Sequence, residues 1–147
     1  MARKDVKLEH LGRTWLFSTC TKKELGLIGR ASDEVAVDSG RLLCEEGKPG
    51  FEFFLILGGR AAVSRAGRKI ATLRPGQYFG ELSLLDRKPR SATVTSETPM
   101  ELLVLDQRQF DGVMDQVPGL AHKLLMATAA RLRDADTKAI NDAKALN

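Results

Sequence analysis

The sequence predicts a mainly β fold with helices at both ends, on three observations. From Glu34 to Asp106 the chain runs in strand-like stretches of four to six residues divided by glycine-marked turns, the pattern of a compact barrel or roll. On either side of that region, apolar residues recur at helical steps behind capping signals. The chain of 147 residues, 43% hydrophobic and 29% charged, has the size and composition to build one core.

The elements follow in order. Val6, Leu8, Leu11, Trp15 and Leu16 are spaced for one face of a first helix, and Trp15 and Phe17 add a small apolar cluster. Thr21-Lys22-Lys23-Glu24 has the form of a capping box, which opens a short helix through Leu25, Leu27 and Ile28 that ends at Ser32 and Asp33. Seven strands are predicted near 34–37, 41–45, 52–57, 60–64, 69–73, 91–95 and 100–105. Gly47, Gly50, Gly58, Gly59, Gly67 and Gly76 mark the turns, with Pro49 and Pro75 beside two of them. Arg65-Ala66-Gly67-Arg68 reads as a hairpin tip whose Gly67 takes the left-handed conformation. Asp106, with Gln109 three residues on, caps a helix through Phe110, Val113 and Met114. Pro118 suits the first turn of a last helix that runs almost to the end. Along it Leu125, Thr128, Leu132, Ala135, Ala139, Asp142 and Leu146 alternate by three and four, a seam with only Leu125 and Leu132 strong in its first half. Two readings stand: first turns packed on the barrel with a frayed tail, or a dimer seam or lid.

Composition narrows the function. No apolar run nears the roughly 20 residues that span a bilayer, and the start through Lys7 has no apolar core of a secretory signal. The cytoplasm is therefore the expected address. Cys20, Cys44, His10 and His122 lack the spacing of a zinc site or a disulfide framework, so no metal is expected and the thiols pack. Catalysis is not expected either: no histidine lies near Ser83 or Ser91, and Glu81 has no second carboxylate to work with. Net charge of +4 with pI 9.3 permits nucleic-acid binding without implying it. Arg60, Arg65, Arg68, Lys69 and Arg74 form a basic run without an acid, read first as a solvated hairpin, with attraction of an anionic ligand or docking of an acidic partner as the alternatives.

One stretch carries chemistry. Residues 79–94 read Phe-Gly-Glu-Leu-Ser-Leu-Leu-Asp-Arg-Lys-Pro-Arg-Ser-Ala-Thr-Val. Gly80 lets a backbone approach a ligand or take a positive φ. Glu81 supplies a carboxylate, and the apolar piece behind it suits one helical turn with free N–H groups at its start. Arg90 offers a planar guanidinium to a phosphate, and small Ser91 and Ala92 leave room to reach the main chain. This run resembles the phosphate-binding cassette of the cyclic nucleotide-binding domain family, found in bacterial cyclic-AMP receptor proteins, regulatory subunits of protein kinase A and cyclic nucleotide-gated channels. The cassette of that family reads roughly Phe-Gly-Glu-Leu-Ala/Ser-Leu, a variable piece, then Pro-Arg-Ser/Ala-Ala-Thr-Val. Gly40, Gly47, Gly59 and Gly76 fall where the family's turns lie.

The resemblance implies an eight-stranded, jelly-roll-like β roll in a single domain over 1–147. Its parts are N-terminal helices (1–33), the roll (34–106) and C-terminal helices (107–147). It implies that Glu81 accepts from a ribose 2′-hydroxyl, that Arg90 holds a cyclic phosphate, and that the main chain around Gly80, Leu82, Ser83, Ser91 and Ala92 completes the cradle. The base lies against Val63, Ile70 and Ala71, with Arg131, Ala135 and Asp136 reaching it from the last helix. The receptor proteins carry hydroxyl residues where this chain has Ala135 and Asp136, so cyclic GMP remains open beside cyclic AMP. The expected function is a cyclic AMP sensor, without cofactor, that signals to an effector protein by moving its last helix, with a homodimer through that helix as a further expectation. Too few residues follow Asp142 for a helix-turn-helix, so DNA reading by this chain alone is not expected. The alternatives are a partner-binding scaffold with a vestigial cassette, or the sensor part of a transcription regulator.

Overall fold

The computed structural model describes residue 9 and residues 11–145. Val6, Leu8, His10 and Leu146 lie outside the described residues. Residues 11–13 are helical and give way to turns over 15–19. Because the helix stops there, its phase does not carry to Trp15, which is exposed while Leu16 and Phe17 are buried. That corrects the apolar cluster expected around Trp15. Instead Lys123 Nζ sits 4.9 Å from the Trp15 ring centroid and donates to the Trp15 carbonyl at 2.6 Å.

Helix α1 (Lys22–Ala31) opens with the expected box: Glu24 N–H donates to Thr21 Oγ1 at 3.1 Å, and Thr21 N–H to Glu24 Oε1 at 2.9 Å. Eight strands follow: β1 (Asp33–Val37), β2 (Leu42–Cys44), β3 (Glu52–Gly58), β4 (Ala61–Arg65), β5 (Arg68–Leu73), β6 (Tyr78–Phe79), β7 (Thr93–Ser96) and β8 (Met100–Asp106). They form two antiparallel four-stranded sheets, ordered β1-β8-β3-β6 and β2-β7-β4-β5. The seven predicted strands are all present with shifted ends. The eighth, β6, pairs Phe79 with Phe54 and Tyr78 with Leu55, and two residues are too few to show a period. The stretch 79–94 therefore lies between the sixth and seventh strands rather than the fifth and sixth.

β3 and β8 explain why their sequences are nearly continuous apolar runs. Alternate side chains of a strand point to opposite faces, and both faces here are covered. Phe53, Leu55, Leu103 and Leu105 join a core with Leu11, Ile28, Phe110 and Leu120 on the helical side. Phe54, Ile56, Leu102 and Val104 join Cys44, Phe79 and Val94 in a second core between the sheets. Phe54 and Phe79 stack with ring centroids 4.7 Å apart.

After β8, Asp106 and Gln109 cap α3 (Gln107–Gln116) reciprocally at 2.8 Å each way. Pro118 does not start the final helix as expected. With Gly119 at φ 95 it makes a turn, and α4 (Leu120–Ala145) begins after it. Leu120 and Leu124 anchor α4 in the helical core. From Ala129 to Lys144 every residue is exposed. No helix among the described residues is long and apolar enough to cross a membrane.

Candidate functional site

β6 ends at Phe79, and the chain turns at Gly80 with φ 91 into a short helix α2 (Glu81–Asp86). A side chain at Gly80 would place its Cβ 2.6 Å from the Glu52 carbonyl oxygen and 3.0 Å from Arg90 Nη1, so backbone sign and space both require glycine. Glu81 and Ser83, on the inner side of α2, are buried; Leu82 is exposed. Leu84 is buried in the helical core and ties the turn down.

Arg90 is buried although charged, which is tolerable only when its N–H groups find acceptors. Nη1 donates to the Gly80 carbonyl at 2.9 Å and Nη2 to the Glu52 carbonyl at 2.7 Å. Hydrogen bonds from a charged donor contribute roughly 1.5–3 kcal/mol each. The main chain pins the same residue: Arg90 N–H donates to Lys48 O and Gly47 N–H to Arg90 O, each at 2.9 Å. The loop between β2 and β3 thus holds the arginine from one side and the Gly80 turn from another.

Around these groups lies a pocket of about 430 Å³, within the roughly 300–1,000 Å³ of small-molecule sites. The structure brings all the cassette residues named above to its wall, from Gly80 to Ser83 and from Arg90 to Ala92. Val63, Ile70 and Ala71 line it too. Ile70 and Ala71 are adjacent, yet both face the pocket, because the β4–β5 register jumps from Val63↔Ala71 to Ser64↔Lys69. Ile70 is the extra residue of a bulge, which breaks strict alternation. Arg131 reaches the wall from α4: its Nη1 donates to Glu81 Oε1 at 2.8 Å, and its guanidinium carbon lies 5.2 Å from the Tyr78 ring centroid. Ala135 and Asp136 do not line the pocket. They are exposed about one turn beyond Arg131, where α4 has already left the roll.

Several lining residues, Tyr78, Arg65 and Cys44 among them, were outside the site named from the sequence. Tyr78 belongs to the unseen strand. Arg65, expected at a hairpin tip and in the basic run but not in the pocket, stands two residues from Val63 on the same strand face and donates from Nε to the Ser91 carbonyl at 3.0 Å; period-two spacing from Val63 was the available signal. Cys44 also lines the pocket, and burial pushes its thiol up to about 11, against a smaller opposing pull from Arg90. Burial likewise raises Tyr78. The residues of the basic run are all exposed, as expected of a solvated hairpin, and on that surface Lys69 and Arg60 pair with Glu97 at 2.9 and 3.4 Å. The hydrogen bond from Lys69 leads in holding the Glu97 carboxyl below its usual range. Among the described residues, no group of three or more His, Cys, Asp or Glu side chains is placed to hold a metal ion.

A pocket with one buried carboxylate, guanidinium groups from three elements and an apolar wall suits a small ligand that joins an anion to a hydroxyl and a flat apolar part. Residues 34–117 match the sequence profile of the cyclic nucleotide-binding domain. The chain belongs to the cyclic nucleotide-binding domain family. It is 28% identical over 122 residues to a cAMP-dependent protein kinase regulatory subunit of Hypocrea atroviridis, an alignment that covers 83% of this chain and 26% of that protein. Among solved structures it resembles the regulatory domain of Toxoplasma gondii PKA co-crystallised with cAMP, at 29% identity and TM-score 0.69 over 76% of this chain and 44% of that one. It also resembles the catabolite activator protein of Thermus thermophilus, at 30% identity and TM-score 0.78 over 84% of this chain and 60% of that one. The chain spans about a quarter of the length of the curated regulatory subunits it matches. As a member of this family it is a cyclic nucleotide-binding regulatory domain in class.

Proposed function

We propose that this chain is a cyclic AMP sensor that binds one nucleotide in the pocket between α2, β4, β5 and α4. The observation that carries the reading is the burial of Glu81 and Arg90 together on one pocket wall, on opposite sides of a turn. In this reading Arg90 neutralises the cyclic phosphate, helped by main-chain N–H groups of Leu82, Ser83, Ser91 and Ala92. Glu81 accepts from the ribose 2′-hydroxyl. The base lies against Val63, Ile70 and Ala71, flanked by Arg65 and Arg131. Similarity to a PKA regulatory domain co-crystallised with cAMP favours the adenine nucleotide over cyclic GMP. The pocket binds and does not catalyse.

The read-out is α4. Arg131 is the contact that joins the exposed helix to the pocket, and its side chain is more than half exposed, so water screens the pair and a ligand hydroxyl competes for Glu81. Ligand biases α4 only through that difference in contacts. An effector protein then senses the helix. Leu125, Leu132 and Ile140, all exposed at steps of seven and eight, also favour a homodimer through α4.

Calorimetric titration with cyclic AMP, cyclic GMP and 5′-AMP tests the reading. Tight one-per-chain binding of cyclic AMP, weaker binding of cyclic GMP and silence from 5′-AMP are expected. Arg90→Ala, checked for folding by circular dichroism, should lose the binding. Wild-type affinity in that variant sinks the phosphate assignment, and silence from all three nucleotides favours a scaffold.

A further inference from the structure

Gly50 has no conformational reason to be glycine. Seven described glycines hold a positive φ, and Gly50 is not among them. What glycine provides there is space for one particular side chain. A Cβ at Gly50 would lie 2.0 Å from Arg90 Nε, 2.3 Å from Cζ and 2.4 Å from Cδ, and these are its three nearest atoms. At nearby Gly47 a Cβ would meet nothing within 4 Å. The Arg90 stem and guanidinium therefore lie flat against the bare Cα of Gly50.

The arginine has no easy retreat. Its Nη atoms are held by the Gly80 and Glu52 carbonyls at 2.9 and 2.7 Å, and its main chain is paired with Gly47 and Lys48. Ordinary carbon contacts are about 3.5–4.0 Å, so a methyl group at Gly50 requires the guanidinium to move by about 1.5 Å. A displacement of that size breaks both carbonyl bonds and shifts the cation relative to the Gly80 turn.

We propose that Gly50 is a positioning residue of the pocket, whose missing side chain sets where the Arg90 guanidinium stands and hence where a cyclic phosphate is received. The assignment rests on the reading of Arg90 as the phosphate partner. Displacement by about 1 Å can cost on the order of 100-fold, so Gly50→Ala should weaken cyclic AMP binding by about tenfold to 100-fold in calorimetry. In ¹⁵N–¹H spectra the Arg90 Nε–H signal, assigned by its loss in Arg90→Ala, should shift while backbone signals far from the β2–β3 loop stay in place. An unmoved Nε–H signal with unchanged affinity overturns the proposal. Should wild type bind no cyclic nucleotide, the ligand reading fails, and the Nε–H signal alone still decides the role of Gly50. Should Gly50→Ala not fold, the double variant with Arg90→Ala removes the clashing side chain and should fold as well as Arg90→Ala alone. A double variant that stays unfolded where Arg90→Ala folds overturns the proposal.

Discussion

Glu81 is buried, yet its partner Arg131 keeps more than half its side chain in water, so the carboxylate is held ready without a rigid lock. If its ligand is a ribose hydroxyl, wild type should prefer cyclic AMP to its 2′-deoxy analogue by about 10- to 100-fold, the range for a hydrogen bond to a charged group. Glu81→Ala should erase that preference, which paired titrations would read directly. Cys44 makes a second residue-scale prediction. Its folded value is raised from 9.0 to about 11, so below pH 9 both folded and unfolded chains carry the thiol. Between pH 9 and 11 the unfolded chain loses its proton first, and stability falls as pH rises. Urea unfolding at pH 8 and 10.5 should show wild type losing about 2 kcal/mol more than Cys44→Ala; equal losses would refute the burial argument. Glu81 and Arg90 were legible because both stand in one contiguous run, whereas Arg65 and Cys44 are far from that run in sequence and gained their place by pairing across strands.

At the scale of elements, caps and turns were the most legible features because each is decided within four residues. Thr21 with Glu24 and Asp106 with Gln109 close their boxes as spaced. Thr21→Ala should cost about 1 kcal/mol in chemical unfolding. The β4–β5 tip holds a surprise, since Ala66 as well as Gly67 has positive φ, at 53 and 76. That is the two-residue hairpin form in which asparagine or aspartate suits the first position. Ala66→Asn should therefore stabilise by about 0.5–1 kcal/mol, read as a raised unfolding midpoint; a lowered midpoint would count against the turn. β6 and the Ile70 bulge were not legible, because a two-residue strand and an extra residue both depend on the partner strand.

At the scale of the molecule, α4 is one helix with two environments. Leu120 and Leu124 are buried, while residues 129–144 are exposed. A chain ending at Ala135 retains Arg131, and its cyclic AMP affinity should stay within about twofold of wild type, with little change in melting temperature. A tenfold loss would show that Asp136 or a later residue reaches the ligand. The dimer reading predicts concentration-dependent sedimentation that Leu132→Glu abolishes; a monomer at all concentrations would leave the exposed stripe to the effector.

By itself the sequence determined the mainly β class, both capping boxes, the seven longer strands and the pair Glu81 and Arg90, because each rests on local spacing or on residues within one run. The tertiary structure alone decided that β3 and β8 serve two cores, that Arg65 and Cys44 share the wall with the cassette, and that α4 departs before Ala135 and Asp136. These are facts of register and helix direction, set by packing between segments distant in the chain, and no local pattern of side chains encodes them.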